Sequence, residues 1–156
     1  MKLDDVIRAG HAQSVALFDE LAPLAREDQR RSSATTLARR LAVALKTHAL
    51  AVERVVCSAL RSAGDEPAAL ALQAPHAHHA LDVVVDKLLV LRPGPELAAA
   101  LAVARRLFEQ HAALEEHELL PVIARWLPAD ERDQLARDLV AEQRRLRPTL
   151  LRRIGG

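Results

Sequence analysis

Apolar residues recur three and four positions apart over five long stretches of the chain, and proline or glycine separates these stretches. This spacing is typical of amphipathic helices, because residues 3, 4, 7 and 11 apart share one helix face. No stretch between turn residues alternates apolar and polar side chains as a half-buried strand would. Half of the residues are hydrophobic but only 2% are aromatic, so we expect close-packed helices around a core of Leu, Val and Ala.

The helix-breaking residues predict where each helix begins and ends. We expect helices over about residues 4–24, 28–62, 65–91, 96–126 and, after Pro128, up to about Arg147. Pro75 is expected to kink or restart the third helix, and Pro121 to bend the last turns of the fourth. Short connections imply antiparallel neighbours, so the predicted fold is all-α: an up-down four-helix bundle with a short fifth C-terminal helix. The length of 156 residues fits a single domain over 1–156.

Charge and cysteine content exclude several classes of protein. The 22 Lys and Arg residues nearly balance the 21 Asp and Glu residues, so we expect no nucleic-acid partner. The basic run at residues 137–153 is interleaved with leucine, which is typical of a solvated helix face. Cys57 is the only cysteine and cannot form an intramolecular disulfide. No stretch has the length of a membrane span and the N-terminus has no apolar signal core, so we expect no membrane partner and a cytoplasmic location.

Each of the first four helices carries a histidine on its apolar face, and one of them also carries a carboxylate a turn later. These residues are His11, His48, His78, His111 and Glu115. A single histidine in such a stripe is more often a hydrogen-bonded core residue than a metal ligand. Burying four imidazoles and a carboxylate without partners would cost on the order of several kcal/mol, and a metal ion between them removes this cost. Imidazole and carboxylate ligands suit Fe, Mn, Zn or Cu.

Two of the helices carry matching segments, with one difference. Residues 45–60, LKTHALAVERVVCSAL, align without gaps with residues 108–123, FEQHAALEEHELLPVI. The histidines of the two segments coincide, and Glu53 coincides with Glu116. Val52, however, stands where the second segment has Glu115.

The other histidines and the cysteine are weaker candidates for a site. His76 and His79 flank His78 on other faces of the third helix, and His117 is expected to be exposed. Asp82, one turn after His78, is expected either to support that histidine or to lie on the surface. Cys57 is expected to be a small packed apolar residue.

The four histidine segments together resemble a known family, the hemerythrin-like HHE cation-binding domains. HAALEEHELLP at 111–121 resembles the HxxxEExxLxP helix of that family. GHAQSVALFDEL at 10–21, KTHALAVERVV at 46–56 and HHALDVVVDKL at 78–88 resemble its first, second and third helices. The resemblance covers about residues 3–147 and implies a bundle of hemerythrin type around two irons.

The resemblance also implies a ligand set. It places His11 and His48 on one metal and His78 and His111 on the other, with Glu115 as a bridging carboxylate. The residue that would supply a second bridge is Val52, which departs from the family pattern. Two outcomes stay open: two metals bind with one bridge, or only the half with His78, His111 and Glu115 keeps a metal.

Several functions fit a site of this kind. The resemblance implies a non-haem iron protein that binds or senses O₂, NO or peroxide, or that holds iron. A zinc- or nickel-binding or interaction bundle with an incomplete metal site is an alternative. Decomposition of peroxide is a third, but no acid–base group beyond Glu116 and Asp82 favours it, and the sequence assigns no catalytic residue.

Overall fold

Helices account for nearly all of the chain in the computed structural model, which describes residues 1–155. Helix α1 is Leu3–Leu24, and a 3-10 turn, Asp28–Arg30, leads into α2. Helix α2 (31–60) consists of Arg31–Ala51, a π-helical turn at Val52–Cys57 and Ser58–Leu60. Helix α3 is Asp65–Leu88, and α4 (95–126) consists of Pro95–Leu114, a π-helical turn at Glu115–Leu119 and Leu120–Trp126. Helix α5 is Ala129–Gly155.

The first four helices form the bundle, and the fifth covers one side of it. Helix α1 packs on α2 and α4, and α3 packs on α4 and on the second half of α2. Helix α5 lies against α1 and α2. No strand occurs within residues 1–155. The predicted all-α bundle with a fifth C-terminal helix is therefore confirmed.

The core is divided into two apolar clusters with a polar layer between them. One cluster contains Ile7, Val52, Ala74 and Leu119 from the four helices of the bundle, together with leucines of α5. The other contains Phe18, Leu45, Leu81 and Phe108. Each helix of the bundle has one histidine on its apolar stripe, and this histidine lies between a residue of one cluster and a residue of the other. These four stripe histidines are His11, His48, His78 and His111. The histidines are thereby held at one level of the bundle, with apolar packing above and below them.

Two prolines do not end helices as the sequence suggested. Helix α3 does not restart at Pro75 but runs through it, with Ala71 and Ala74 buried before it and His78 buried after it. Helix α5 does not end at Arg147 but continues through Pro148 to Gly155. Buried leucines at 146 and 150 hold α5 against the bundle on both sides of that proline, and this packing outweighs the lost backbone hydrogen bond.

None of the helices in the described part of the chain combines the length and the apolar character that crossing a membrane requires.

Candidate metal centre

The Glu115 carboxylate lies at the centre of the polar layer, and the Nε2 atoms of all four stripe histidines face it. Its Oε2 atom lies within hydrogen-bond distance of His11 Nε2, at 2.8 Å, and of His48 Nε2, at 2.9 Å. Its Oε1 atom lies 3.0 Å from His111 Nε2 and 3.8 Å from His78 Nε2. Each of the two carboxylate oxygens therefore faces a different pair of histidines.

The spacing of the imidazole rings shows the same pairing. The ring centroids are 4.9 Å apart for His11 and His48, and 4.5 Å apart for His78 and His111. Between the pairs, the centroids of His48 and His111 are 5.8 Å apart, and those of His11 and His111 are 6.1 Å apart. All four histidines and Glu115 are buried. The structure thus brings the five residues singled out in the sequence to one place.

Two further carboxylates hold the outer nitrogens of two of the histidines. Glu116 Oε1 lies 2.7 Å from His11 Nδ1, and Glu53 Oε1 lies 2.6 Å from His78 Nδ1. Arg8 in turn donates a hydrogen bond to Glu116. A carboxylate on Nδ1 fixes the proton there and directs Nε2 into the site. The sequence contained a signal for this pair, because Glu53 and Glu116 occupy matching positions after His48 and His111.

The ionisable groups of the polar layer shift one another's pKa values. Burial opposes ionisation of Glu115, but the surrounding histidines outweigh it and hold the pKa of Glu115 well below its ordinary value. Burial also opposes protonation of His11 and His78, yet the nearby carboxylates, Glu115 together with Glu116 or Glu53, raise the pKa of both. Burial lowers the pKa of His111, and the neighbouring histidines add to this effect. The layer therefore combines an ionised carboxylate with imidazoles of unequal basicity.

Several buried polar atoms of the layer lack a hydrogen-bond partner within the protein, and a cation in the layer could bind to them. They include His78 Nε2, His111 Nε2 and Glu115 Oε1, which face one another at the centre, and the outer nitrogens His48 Nδ1 and His111 Nδ1. Unpaired buried atoms of this kind are unfavourable, and a cation that accepts their lone pairs satisfies them. Imidazole nitrogen and carboxylate oxygen are ligands for iron, zinc and related metals. The residues present therefore fit a metal ion.

Four of the five residues form a tighter group than the fifth. One donor atom from each of His11, His48, His111 and Glu115 can be chosen so that all lie within 4.8 Å of one another. His78 lies outside this group, although its Nε2 atom is directed at Glu115. The donor set is thus compatible with one ion or with two.

The weaker candidates lie away from the centre. His76, His79 and His117 are exposed on the outer faces of their helices. Asp82 forms an ion pair with Lys46 and makes no hydrogen bond to His78. Among the described residues, the structure brings none of these into the site.

Two apolar residues of α2 were expected to provide no ligand, and both lie in the core. Val52 is fully buried in the cluster that contains Ile7 and Leu119. Cys57 is buried in the same cluster, and burial raises the pKa of its thiol to about 12. A thiol with that pKa is a packed side chain and a poor nucleophile at neutral pH.

Comparison with known proteins agrees with the geometry. No curated protein and no solved structure matches the chain. The family description that does match is the hemerythrin HHE cation binding domain, over residues 2–123. This range contains all five residues of the polar layer and ends before α5 begins. The chain belongs to the hemerythrin HHE cation-binding domain family.

Proposed function

We propose that this protein is a non-haem iron protein that holds two iron ions in the polar layer and binds a small ligand such as O₂, NO or peroxide there. One observation carries the proposal of two ions: the two oxygens of Glu115 are divided between two pairs of histidines. A carboxylate placed in this way is suited to bridge two cations.

The ligands follow from that division. His11 and His48 would hold one ion, His78 and His111 the other, and Glu115 both. Iron held by two imidazoles and a shared carboxylate has open coordination positions and supplies redox chemistry for a small ligand. Val52 provides no oxygen at the position that matches Glu115, and its apolar side chain keeps water from that side of the layer.

The protein would prepare the site through the outer carboxylates. Glu53 and Glu116 accept the Nδ1 protons of His78 and His11, so the Nε2 lone pairs of these residues are available to a metal. Cations also compensate the negative charge that these carboxylates and Glu115 bring to a buried layer. The single buried cysteine suits a reducing compartment, and we include a cytoplasmic location in the proposal.

A second candidate function is a bundle that binds zinc or nickel without catalysis. The observation that favours it is the close grouping of His11, His48, His111 and Glu115, with His78 outside. Imidazole and carboxylate are both zinc ligands, and four of them match the coordination number that zinc usually has in proteins. In that case the centre would hold a single ion.

His78 distinguishes the two candidates. We expect the protein purified from its native host to contain two irons per chain, and His78→Ala to lose about half of them, since His78 serves only one ion of the pair. Metal content by mass spectrometry, together with the charge-transfer absorption of ferric iron, measures this. His117→Ala removes an exposed histidine of the same helix bundle and is the matched control, with full metal content expected.

Other outcomes are equally informative. One zinc per chain that survives His78→Ala would support the second candidate and contradict the first. Full metal content in His111→Ala would contradict both, because His111 belongs to the ligand set of each.

A further inference from the structure

A cavity of about 460 Å³ lies between α1, α2 and α5, on the side of the bundle that the fifth helix covers. Its apolar walls are Val6, Ala9, Val43, Ala44 and Val140. The volume falls within the range of pockets that bind small organic molecules. Because Val140 belongs to α5, the cavity includes a part of the chain beyond the family match.

Two unpartnered polar side chains line the cavity. Thr47 and His48 are only 8% and 6% exposed, and Thr47 Oγ1 and His48 Nδ1 have no hydrogen-bond partner within the protein. Buried polar atoms without partners are rare in proteins and call for an explanation. A polar group placed in the cavity can pair with both.

A glycine lies beside His48 Nδ1 on this side. Gly10 lies within α1 and lines the cavity, and a Cβ atom at this position would lie 3.0 Å from His48 Nδ1. Glycine is unfavourable in the middle of a helix, so its presence here has a structural reason. A side chain at position 10 would press against the imidazole and block this approach to it.

The neighbouring histidines indicate which group fits. His11 and His78 each have a carboxylate on Nδ1, at 2.7 and 2.6 Å. Within residues 1–155, His48 and His111 lack a partner on Nδ1, and of these two only His48 lines the cavity. A carboxylate from a ligand would give His48 the same kind of partner and could also accept the hydroxyl proton of Thr47.

The rim of the cavity also favours an anion. Arg144 and Arg147 line it from α5, and neither forms an ion pair with any residue in the range 1–155. Asp5 is the acidic residue of the lining, so the rim carries a net positive charge. A positive rim raises the local concentration of anions and their rate of association.

We propose that this cavity binds a small carboxylic acid with an apolar body, whose carboxylate accepts hydrogen bonds from His48 Nδ1 and Thr47 Oγ1. The body of the ligand packs on the valines of α1, α2 and α5. Binding requires only the cavity, whereas its consequence rests on the proposed function: the ligand fixes the His48 ring, and so strengthens the hold of His48 on a metal. Carboxylic acid and metal would then each increase the affinity for the other.

Octanoate is a suitable probe, with 1-octanol and octylamine as controls of matched length. We expect octanoate to bind the full-length chain, both as purified and after treatment with a chelator, and to raise its melting temperature. The ring nitrogen resonances of His48 should shift in the chelator-treated protein. Calorimetry should show that 1-octanol and octylamine bind at least about tenfold more weakly. Because the chelator-treated chain is included, binding is tested independently of the metal proposal.

Two variants locate the ligand. Val140→Trp fills the cavity from α5, replaces no residue of the histidine layer, and should weaken octanoate binding at least about tenfold. Arg144→Glu reverses a charge at the exposed rim, needs no repacking of the core, and should also weaken it. Arg153→Gln removes an exposed arginine of the same helix outside the cavity and should leave affinity unchanged.

Three results would overturn the proposal. Equal affinity for 1-octanol would show an apolar pocket without carboxylate recognition. Octanoate affinity that both Val140→Trp and Arg144→Glu leave unchanged would place the ligand elsewhere. Absence of any binding at millimolar octanoate would exclude the site.

Discussion

At the scale of single residues, the contrast between Val52 and Glu115 determines the character of the centre. The two residues follow His48 and His111 by one turn, and both begin a π-helical turn. Glu115 is in contact with the histidines, whereas Val52 packs in an apolar cluster. The second helix has therefore kept the backbone geometry of its counterpart without its carboxylate.

Replacing Val52 with glutamate tests whether this position faces the metal. With saturating ferrous iron, we expect Val52→Glu to bind more iron than the wild type, since it adds a second bridging carboxylate. Without iron, the buried charge should lower the free energy of unfolding by about 2–4 kcal/mol. Iron content and thermal unfolding, each measured with and without iron, check both expectations.

Val56→Glu is the matched control, because Val56 is equally buried in the same cluster one turn further along α2. It should lower stability both with and without iron. If Val52→Glu behaves like this control, position 52 does not face the ions.

The stripe residues of the layer could be predicted from the sequence, but the histidine that each outer carboxylate contacts could not. Each stripe histidine interrupts a helical stripe of apolar residues, and such an interruption can be recognised in the sequence alone. Glu53 reaches a histidine on another helix, 25 positions further along the chain. That contact depends on the rotation of two helices and of one imidazole ring, which the spacing of residues does not determine.

At the scale of helices, the period of apolar residues predicted which segments are helical, but not their irregularities. A π-helical turn accommodates one additional residue and moves the buried face by one position, here from Val55 to Val56; because both residues are apolar, the sequence does not reveal this shift. The two π-helical turns, Val52–Cys57 and Glu115–Leu119, therefore left no clear mark in the sequence. Pro148 was misleading because packing of its neighbours, a tertiary effect, kept α5 helical.

Gly64 connects α2 to α3 with a backbone φ of 155°. Gly94 precedes α4 with a nearly equal φ of 152°. A Cβ atom on Gly64 would lie 2.4 Å from the Trp126 ring, whereas a Cβ atom on Gly94 would meet nothing within 4 Å. The two positions thus share a backbone conformation and differ in their surroundings.

We expect Gly94→Ala to lower the free energy of unfolding by about 1–2 kcal/mol, the cost of a backbone conformation that alanine rarely adopts. Gly64→Ala should lower it by at least about 1 kcal/mol more, since the indole must also move. Urea unfolding of the two variants and the wild type measures the difference. Equal losses would mean that the Trp126 ring does not pack against Gly64 in solution.

At the scale of the whole molecule, the polar layer makes stability depend on pH, and the sign of this dependence differs between the metal-free and the metal-loaded chain. In the metal-free chain, the pKa values of His11 and His78 are raised from an ordinary value of 6.5. Their protonated forms stabilise the fold, and this contribution is fully present below about pH 6.5 and is lost as the pH rises through the raised values. The pKa of His111 is lowered, so its neutral form stabilises the fold and its contribution to stability increases as the pH rises. Two residues with raised pKa values oppose this one residue, so we expect the stability of the metal-free chain to fall as the pH rises.

Metal reverses this dependence, because an imidazole must be neutral to bind a metal ion. In the loaded chain, protons compete with the metal for His11 and His78, and metal is lost as the pH falls. Since metal binds only the folded chain, its loss lowers stability. We therefore expect the melting temperature of the loaded protein to rise between about pH 5.5 and 8, and that of the chelator-treated protein to fall as the pH rises above about 6.5. Glu115 remains ionised throughout because its pKa lies well below 4.5.

Differential scanning fluorimetry of both forms in one buffer series measures the two slopes of melting temperature against pH. The variant His117→Ala, which removes an exposed histidine, should alter neither slope. Slopes of the same sign in the two forms would mean that the ions do not bind through these imidazoles.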